Sequence, residues 1–255
     1  LDLYDPDRLQ RSSRPGVGAI AQAQVRSLLR ETQAQYRRRE GQGLALLLEP
    51  STSPTRARLL RQLREAMPRA TVATYAPTET NAIEAAHEAL LGRRSRPRYH
   101  LAAAKRVLAL DSDFLATEPG HLDYAKAFTE ARRVESAQDA AEMCRLYAVE
   151  SNFSLTGGMA DHRLRMATSH VAGFAALLLA RALEQAGAGE GDLARQLRRR
   201  ARTVRADADA RWINECVDDL LVHRGEALVV AGPHLPEVVH EYVYALNRLL
   251  DAPGH

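Results

Sequence analysis

Two continuous apolar runs, each followed by an acidic residue, constrain the fold of this 255-residue chain more than any other feature. The first run, residues 107–110, ends at Asp111, and the second, residues 146–149, ends at Glu150. Runs of this kind are typical of strands that are covered on both faces, as in parallel sheets. A polar, turn-rich loop follows each run. Because open α/β sheets bind ligands at the carboxyl ends of their strands, these loops are the first candidates for a functional site.

The spacing of such runs predicts about five strands, each followed by a helical pattern. The predicted strands cover residues 43–48, 71–75, 106–111, 145–150 and 226–231. Strands that alternate with helices indicate βαβ units, whose right-handed crossovers place helices on both faces of a parallel sheet. The predicted fold is therefore α/β, with a doubly wound, mostly parallel sheet of about five strands.

Local signals set the helix boundaries and the domain organisation. Ser53 and Pro54 predict an N-cap and a first helical residue for a helix that ends at Ala66. Residues 1–18 contain Pro and Gly without apolar periodicity, which predicts an extended arm, and residues 19–255 are predicted to form a single domain. Further helices are predicted at 20–39, 78–91 (capped by Thr78), 120–132, 136–143, 169–186, 190–202, 205–222 and 236–250, with a break at 187–189.

Composition narrows the classes of function. With 45% hydrophobic and 26% charged residues, the chain resembles an ordinary soluble globular protein. The net charge of +3 is small, and the arginine clusters at 37–39, 93–94 and 198–200 have no interleaved aromatic residues, so we interpret them as solvated surface rather than as a nucleic-acid patch. No run of 18 apolar residues is present, and no membrane span is predicted.

The cysteines do not suggest a cofactor. Cys144 and Cys216 are the only two, and they are too few and too far apart to hold an iron–sulfur cluster or a Cys-rich zinc site. Buried free thiols are predicted, with a disulfide as the alternative.

Histidines follow three Gly-containing turns. His121 follows one of them, Asp161 and His162 lie beyond the second, and His234 follows the third. If the turns lie at one edge of the sheet, these side chains are expected to converge. A metal site or a general base is one interpretation, and helix capping or loop hydrogen bonding is the other. Because no metal-binding spacing such as HxH or HExxH is present, no metal ligand is assigned.

The sequence motifs of nucleophilic hydrolases and of nucleotide-binding proteins are absent. There is no G-x-S-x-G, no G-x-G-x-x-G after a strand and no G-x-x-x-x-G-K-[ST], so no catalytic residue is assigned. An acidic pair formed by Asp111 and Asp113 is disfavoured because alternate strand residues face opposite ways, and Asp113 is predicted to cap the next segment.

Three passages carry a family resemblance: VLALDSDFLATEPGHLDYAKAF, LYAVESNFSLTGGMADHRL and LVVAGPHLPEVVHEYVYALNRLL. Weaker matches are YDPDRL, SPTRARLLRQLREAMPRATVATYAP and TNAIEAAHEALLG. The chain resembles the molybdopterin-oxidoreductase-like half of the iron–sulfur subunit of alternative complex III, a quinol-oxidising bacterial membrane complex. The resemblance implies a longer chain that is cut at both ends here, with iron–sulfur clusters in a missing ferredoxin-like carboxyl-terminal part.

The same resemblance implies partners and a location. The expected partners are the ferredoxin-like part of the same chain and other subunits of a membrane respiratory complex. The expected location is the periplasmic side of the bacterial inner membrane.

This sequence departs from the true molybdenum enzymes that the family resembles. In those enzymes a carboxylate followed by Pro-Arg ends the fourth strand, and a Pro-Gly-Thr-Asp loop holds the guanine end of the cofactor. Here Ser151 and Asn152 follow Glu150, and residues 166–170 read MATSH. The resemblance therefore implies a fragment without cofactor, in which the candidates for a vestigial site are Asp111, Glu150, Asp161, His121, His162 and His234.

The function expected from these observations is that of a cofactor-free scaffold domain in a respiratory electron-transfer complex, without activity of its own. One alternative is a fragment of a true molybdopterin-dependent oxidoreductase. The other is an unrelated α/β module that binds a small ligand through His121, His162 and His234.

Overall fold

This computed structural model describes residues 4–76, 81–187, 192–203 and 210–252. The chain divides into two compact units, Leu1–Pro77 and Thr78–His255, called the first and second units below. The predicted single domain over residues 19–255 stays a prediction. Thr78, Ala188 and Gly189, which were assigned to a helix cap and a break, lie outside the described residues.

The first unit contains a small parallel sheet and two helices. Its elements are β1 (Ser13–Arg14), β2 (Gly18–Ala19), α1 (Gln22–Arg38), β3 (Ala45–Leu48), α2 (Pro54–Ala66) and β4 (Thr71–Thr74). β1 pairs antiparallel with β2, so the predicted arm carries a short hairpin with two residues in each strand, and the described residues of the arm are exposed. The Ser53 hydroxyl accepts a hydrogen bond from the Arg56 amide at 3.3 Å, which confirms the predicted cap of α2.

The second unit is a four-stranded parallel sheet flanked by helices. Its strands are β5 (Arg106–Leu110), β6 (Arg145–Glu150), β7 (His162–Arg165) and β8 (Ala227–Ala231), in the order β7-β6-β5-β8. Its α-helices are α3 (Asn81–Leu91), α4 (His121–Ala131), α5 (Ala137–Glu142), α6 (Leu155–Gly158), α7 (Thr168–Gln185), α8 (Asp192–Thr203), α9 (Ala210–Val222) and α10 (Glu237–Leu249). A 3-10 turn covers Leu101–Ala103.

Each face of this sheet is covered by its own apolar core. Every residue of β5 is buried, and successive residues of the strand point alternately into the core on one face of the sheet and the core on the other. On one face, Leu108 and Leu110 pack with residues of α7, α9 and α10. On the other face, Val107 and Ala109 pack with Phe128 of α4. This arrangement confirms the predicted doubly wound α/β fold with helices on both faces.

Two details of the predicted sheet are wrong. β3 and β4 pair with each other in the first unit and do not join the four-stranded sheet. β7, in contrast, was not predicted, because its sequence HRLR is a short, half-exposed edge strand without an apolar run. It pairs parallel with β6, and this additional strand changes which loops share an edge of the sheet.

A buried ionic cluster joins α9 to the amino ends of the central strands. Asp219 accepts hydrogen bonds from Arg106 Nε at 2.7 Å, Arg145 Nη1 at 2.8 Å and the Tyr147 hydroxyl at 2.7 Å. Burial opposes the ionised form of Asp219, but the bonds from Arg106 and Tyr147 outweigh it and lower its pKa. The cluster therefore fixes α9 against the sheet through a charged carboxylate.

Both cysteines are buried free thiols, as the sequence predicted. Along the stretches that the structure describes, none of the helices has the length and apolar character needed to cross a membrane.

Candidate functional site at the carboxyl edge of the sheet

The strand order places a topological switch point between β5 and β8. From β5 the chain adds β6 and then β7 on one side, whereas β8 lies on the other side of β5. Ligands of open α/β sheets bind in the crevice outside the carboxyl ends of strands at such a point. The loops that follow β5, β6 and β8 therefore define the candidate site.

Asp111, directly after β5, is the centre of a hydrogen-bond network that joins three other loops. Its Oδ1 accepts from the Ser151 amide at 3.1 Å, and its Oδ2 accepts from the Thr168 hydroxyl at 2.6 Å and lies 3.3 Å from His234 Nε2. The Asp111 side chain is only 9% exposed, and its φ of 45° is one that Asp tolerates better than most residues. The carboxylate is thus occupied by the protein itself.

Gly232 permits the close approach of the loop after β8. A Cβ at this position would lie 2.1 Å from the Asp111 carbonyl oxygen and 2.7 Å from the His234 ring. Any side chain would push this loop away from the end of β5. The contact between His234 and Asp111 therefore depends on a glycine at position 232.

Asp113 also joins two loops. Its Oδ1 accepts from the Thr156 amide at 3.0 Å and from the Thr156 hydroxyl at 2.9 Å. The sequence predicted Asp113 as a cap of the segment that follows it, but its side chain binds the first turn of α6, which lies beyond β6 and has Ser154 as its N-cap. The prediction failed because this partner is brought close only by the pairing of β5 with β6.

Glu150, at the end of β6, is closely packed by its own neighbours. Its Oε1 accepts from Arg163 Nε at 2.6 Å, its Oε2 accepts from the Ser154 hydroxyl, and its side chain is 5% exposed. A Cβ on Gly157 would lie 1.7 Å from Glu150 Oε1, so the helix α6 can cover the carboxylate only with glycine there. Arg163 also lies over the Phe153 ring, at 4.8 Å from its centroid.

Glu118 is a carboxylate of this edge that the sequence analysis missed. Burial raises its pKa, and the nearby polar groups of Ser112 and of the Asp113 backbone oppose this effect only in part. With Pro119, Ala231 and Pro233 it lines a cavity of about 70 Å³ whose other wall includes Tyr99 and Tyr124. In the sequence, the only indication that Glu118 belongs to this edge was its position between a predicted strand and a predicted helix.

His121 and His234 lie on this edge, as expected. His121 begins α4, and its Nδ1 lies 3.0 Å from the Glu118 carbonyl oxygen. His234 is half-exposed, and its Nε2 lies 3.3 Å from Asp111 Oδ2. Each imidazole makes one polar contact with a neighbouring loop residue.

Asp161 and His162 lie at the opposite, amino edge of the sheet, so their predicted convergence with the other candidates is wrong. Asp161 accepts two hydrogen bonds from Arg132, at 2.6 and 2.9 Å, and one from the Leu146 amide at 2.8 Å. His162 begins β7 and stacks on Tyr147 with 4.8 Å between ring centroids. The reason is that α6 returns the chain to the start of β6 before β7 begins.

The pKa of Asp161 reflects these contacts. Burial opposes its ionised form, but the hydrogen bonds from Arg132 and the Leu146 amide outweigh burial and lower the pKa. Asp161 is therefore a charged structural partner of Arg132.

The acids of the carboxyl edge are hydrogen-bonded within the protein, and the cavity that Glu118 lines is small. Pockets for cofactors usually have volumes of roughly 300–1,000 Å³, whereas the cavity lined by Glu118 has about 70 Å³. The acidic groups that would face a ligand, Asp111 and Glu150, already accept several hydrogen bonds each. Within the described ranges, no three His, Cys, Asp or Glu side chains are grouped to hold a metal ion.

Comparison with known proteins supports the fold. No protein-family model and no curated protein matches the chain. Among solved structures, the chain is similar to acetylene hydratase from Pelobacter acetylenicus, with a TM-score of 0.53 and 13% sequence identity over 94% of this chain. The chain spans 34% of the length of that protein. At this identity the likeness shows the fold alone.

Proposed function

We propose that this chain is a cofactor-free scaffold within a molybdopterin-oxidoreductase-like subunit. The proposal assigns it to the iron–sulfur subunit of a quinol-oxidising respiratory complex of the alternative complex III type. In this role it supports the ferredoxin-like part of its own chain and docks against other subunits on the periplasmic side of the membrane. The complex, rather than this chain, carries the electrons.

The observation that carries the proposal is the internal use of the carboxyl-edge acids. Asp111 holds the loops that contain Ser151, Thr168 and His234 together, and Glu150 is covered by α6. A ligand-binding edge normally presents such groups to its ligand, because unpaired buried polar groups are costly. Here the same groups stabilise the loops without a ligand.

The test uses the assembled complex. His121→Gln and His234→Gln should lower thermal stability without abolishing quinol oxidation, because both histidines fix loops. His162→Gln, at the opposite edge, is the matched control and should also leave turnover intact. If a His234→Gln complex that is stable and fully assembled loses turnover, the edge is a working site and the scaffold proposal is wrong.

A second candidate function is a fragment of a true molybdopterin-dependent oxidoreductase, which the likeness to acetylene hydratase favours. Elemental analysis of the purified complex separates the two proposals. Molybdenum or tungsten at one atom per chain would establish the enzyme, whereas iron alone would support the scaffold. Downstream cysteine clusters in the full gene and a neighbouring gene for a polytopic membrane subunit would further support the respiratory assignment.

A further inference from the structure

The strand β7 is the outermost strand of the four-stranded sheet, and its outer side is open. It pairs with β6 on one side, and no strand within the described ranges pairs with it on the other. Its end residues, His162 and Arg165, are exposed, whereas the opposite edge strand, β8, is buried along its whole length. An open edge presents unpaired backbone N–H and C=O groups, which are a template for an added strand.

One face of the sheet beside β7 contains an aromatic cavity. Its volume is about 470 Å³, and the rings of Tyr147, His162 and Trp212 line it. His162 stacks on Tyr147, and Trp212 meets the same ring edge-on, with 5.7 Å between the centroids. The rest of the lining consists of Arg145, Arg211 and Glu215. Because His162 belongs to β7, every second side chain of a strand added here would lie on the side of this cavity, which suits an apolar or aromatic side chain.

The other face beside β7 is basic and apolar. Arg163 and Arg165 lie on this face together, because strand residues two apart point to the same side. Arg163 Nε binds Glu150 at 2.6 Å and its guanidinium covers the Phe153 ring, whereas Arg165 is exposed and makes no ion pair within the described part of the chain. Phe153 itself is 76% exposed, and Leu155 of α6 is also exposed. This side of an added strand would therefore meet positive charge next to apolar surface.

We propose that β7 binds an extended acidic segment of another subunit as an additional strand. Backbone hydrogen bonds to β7 supply affinity, acidic side chains face Arg163 and Arg165, and the alternate apolar side chains lie at the aromatic cavity. A second copy of this chain is a poor occupant, because pairing of β7 with itself would bring the arginines of the two copies together. The proposal rests on the scaffold function and names one of its docking surfaces.

Peptide probes test the chemistry of this surface by calorimetry on the chain. The acidic peptide Glu-Val-Glu-Phe-Glu-Val has one face for the arginines and one for the cavity. Lys-Val-Lys-Phe-Lys-Val, the lysine peptide, keeps only the apolar face and should bind about tenfold or more weakly. Replacement of Phe by Val in the acidic peptide should also weaken binding. If the acidic peptide does not bind at millimolar concentration, the charges of β7 only protect the edge from pairing, and the proposal is wrong.

Backbone methylation tests whether the peptide adds as a strand. Along an edge-paired strand, the N–H groups point alternately toward the neighbouring strand and away from it. Methylation of one alternate set of amides in the acidic peptide should therefore abolish binding, whereas methylation of the other set should largely retain it. Equal effects of the two methylated peptides would refute strand addition.

Charge reversal at exposed positions locates the surface without risk to the core. Arg165→Glu should weaken the acidic peptide about tenfold and strengthen the lysine peptide. Arg248→Glu is the matched control, because Arg248 is an exposed arginine of α10, which packs against β8 at the opposite edge. It should leave both affinities unchanged. Equal effects of the two variants would indicate net charge alone and contradict the assignment to β7.

Sedimentation distinguishes another subunit from a second copy as the occupant. The oligomeric state of the chain should be unchanged by the acidic peptide and by Arg165→Glu. Peptide binding requires neither assembly nor turnover, so its failure would leave the scaffold function standing, and loss of turnover in the assembled His234→Gln complex would refute the scaffold without affecting the peptide result. A dimer that the acidic peptide or Arg165→Glu dissociates would show that β7 pairs with itself and would overturn the proposal.

Discussion

Replacement of Asp219 by Asn should destabilise the second unit more than any surface change. The carboxylate is 14% exposed and faces Arg106, whose side chain is 8% exposed, at 2.7 Å. Asn keeps the shape but leaves the Arg106 guanidinium buried without a counter-charge. Removal of one partner from a buried ion pair costs about 3–5 kcal/mol. For a chain of this size that loss corresponds to a decrease in Tm of roughly 6–20 °C.

Asp218→Asn is the matched control, because Asp218 is the neighbouring residue of α9. It is exposed and accepts a single hydrogen bond from Gln185 at 2.6 Å. Its loss should cost at most about 1 kcal/mol. Chemical denaturation of the three proteins, followed by circular dichroism, measures the difference.

The pH dependence gives an independent check. The pKa of Asp219 is lower in the folded chain than in the unfolded chain, where it is about 3.9. Its stabilisation is therefore complete above roughly pH 5 and is lost as the pH falls through the folded-state pKa. The gap in unfolding free energy between the native protein and Asp219→Asn should shrink from pH 7 to about pH 3. A gap below about 1 kcal/mol at pH 7, or one that is constant with pH, would refute this account.

Three further outcomes are expected. Gly157→Ala should lower the free energy of unfolding by about 1–3 kcal/mol in thermal denaturation, because its Cβ would overlap Glu150. Gly158→Ala is the control and should have a small effect, because the nearest atom to its Cβ lies at 3.8 Å. Equal losses of stability in the two variants would contradict this packing. Burial raises the pKa of Cys144 to about 11 and also raises that of Cys216, so neither thiol should react with a maleimide at pH 7.5 before denaturation. Tyr4→Asp, at an exposed position of the arm, should leave the stability of the isolated chain unchanged and, if the arm docks against partners, should weaken assembly in co-purification.

The sequence predicted the local structure well because local signals determine it. The apolar runs at β5, β6 and β8 and the Ser53 cap each depend on neighbouring residues, and all four are present. β7 escaped prediction because an edge strand of four residues needs no apolar run and depends on hydrogen bonds from β6.

The prediction of the site failed where it depended on long-range pairing. The sequence placed His162 and His234 at one edge only because β7 was taken as a loop. Asp113 and Glu118 show the same limit, since their partners depend on how the loops approach one another. The burial of His240 was also hidden, because a single His in a helical pattern gives no signal of burial.

The contacts of the carboxyl-edge acids explain why the fold alone does not predict a cofactor here. Asp111 holds the loops after β6, β7 and β8, and Asp113 and Glu150 hold the residues of α6. A ligand that used these acids would first have to break their present hydrogen bonds, and each buried group left unpaired costs about 1–3 kcal/mol. Only new contacts of at least equal strength would make such binding favourable. The same hydrogen bonds already join these loops to one another, which supports the proposed structural role of this edge.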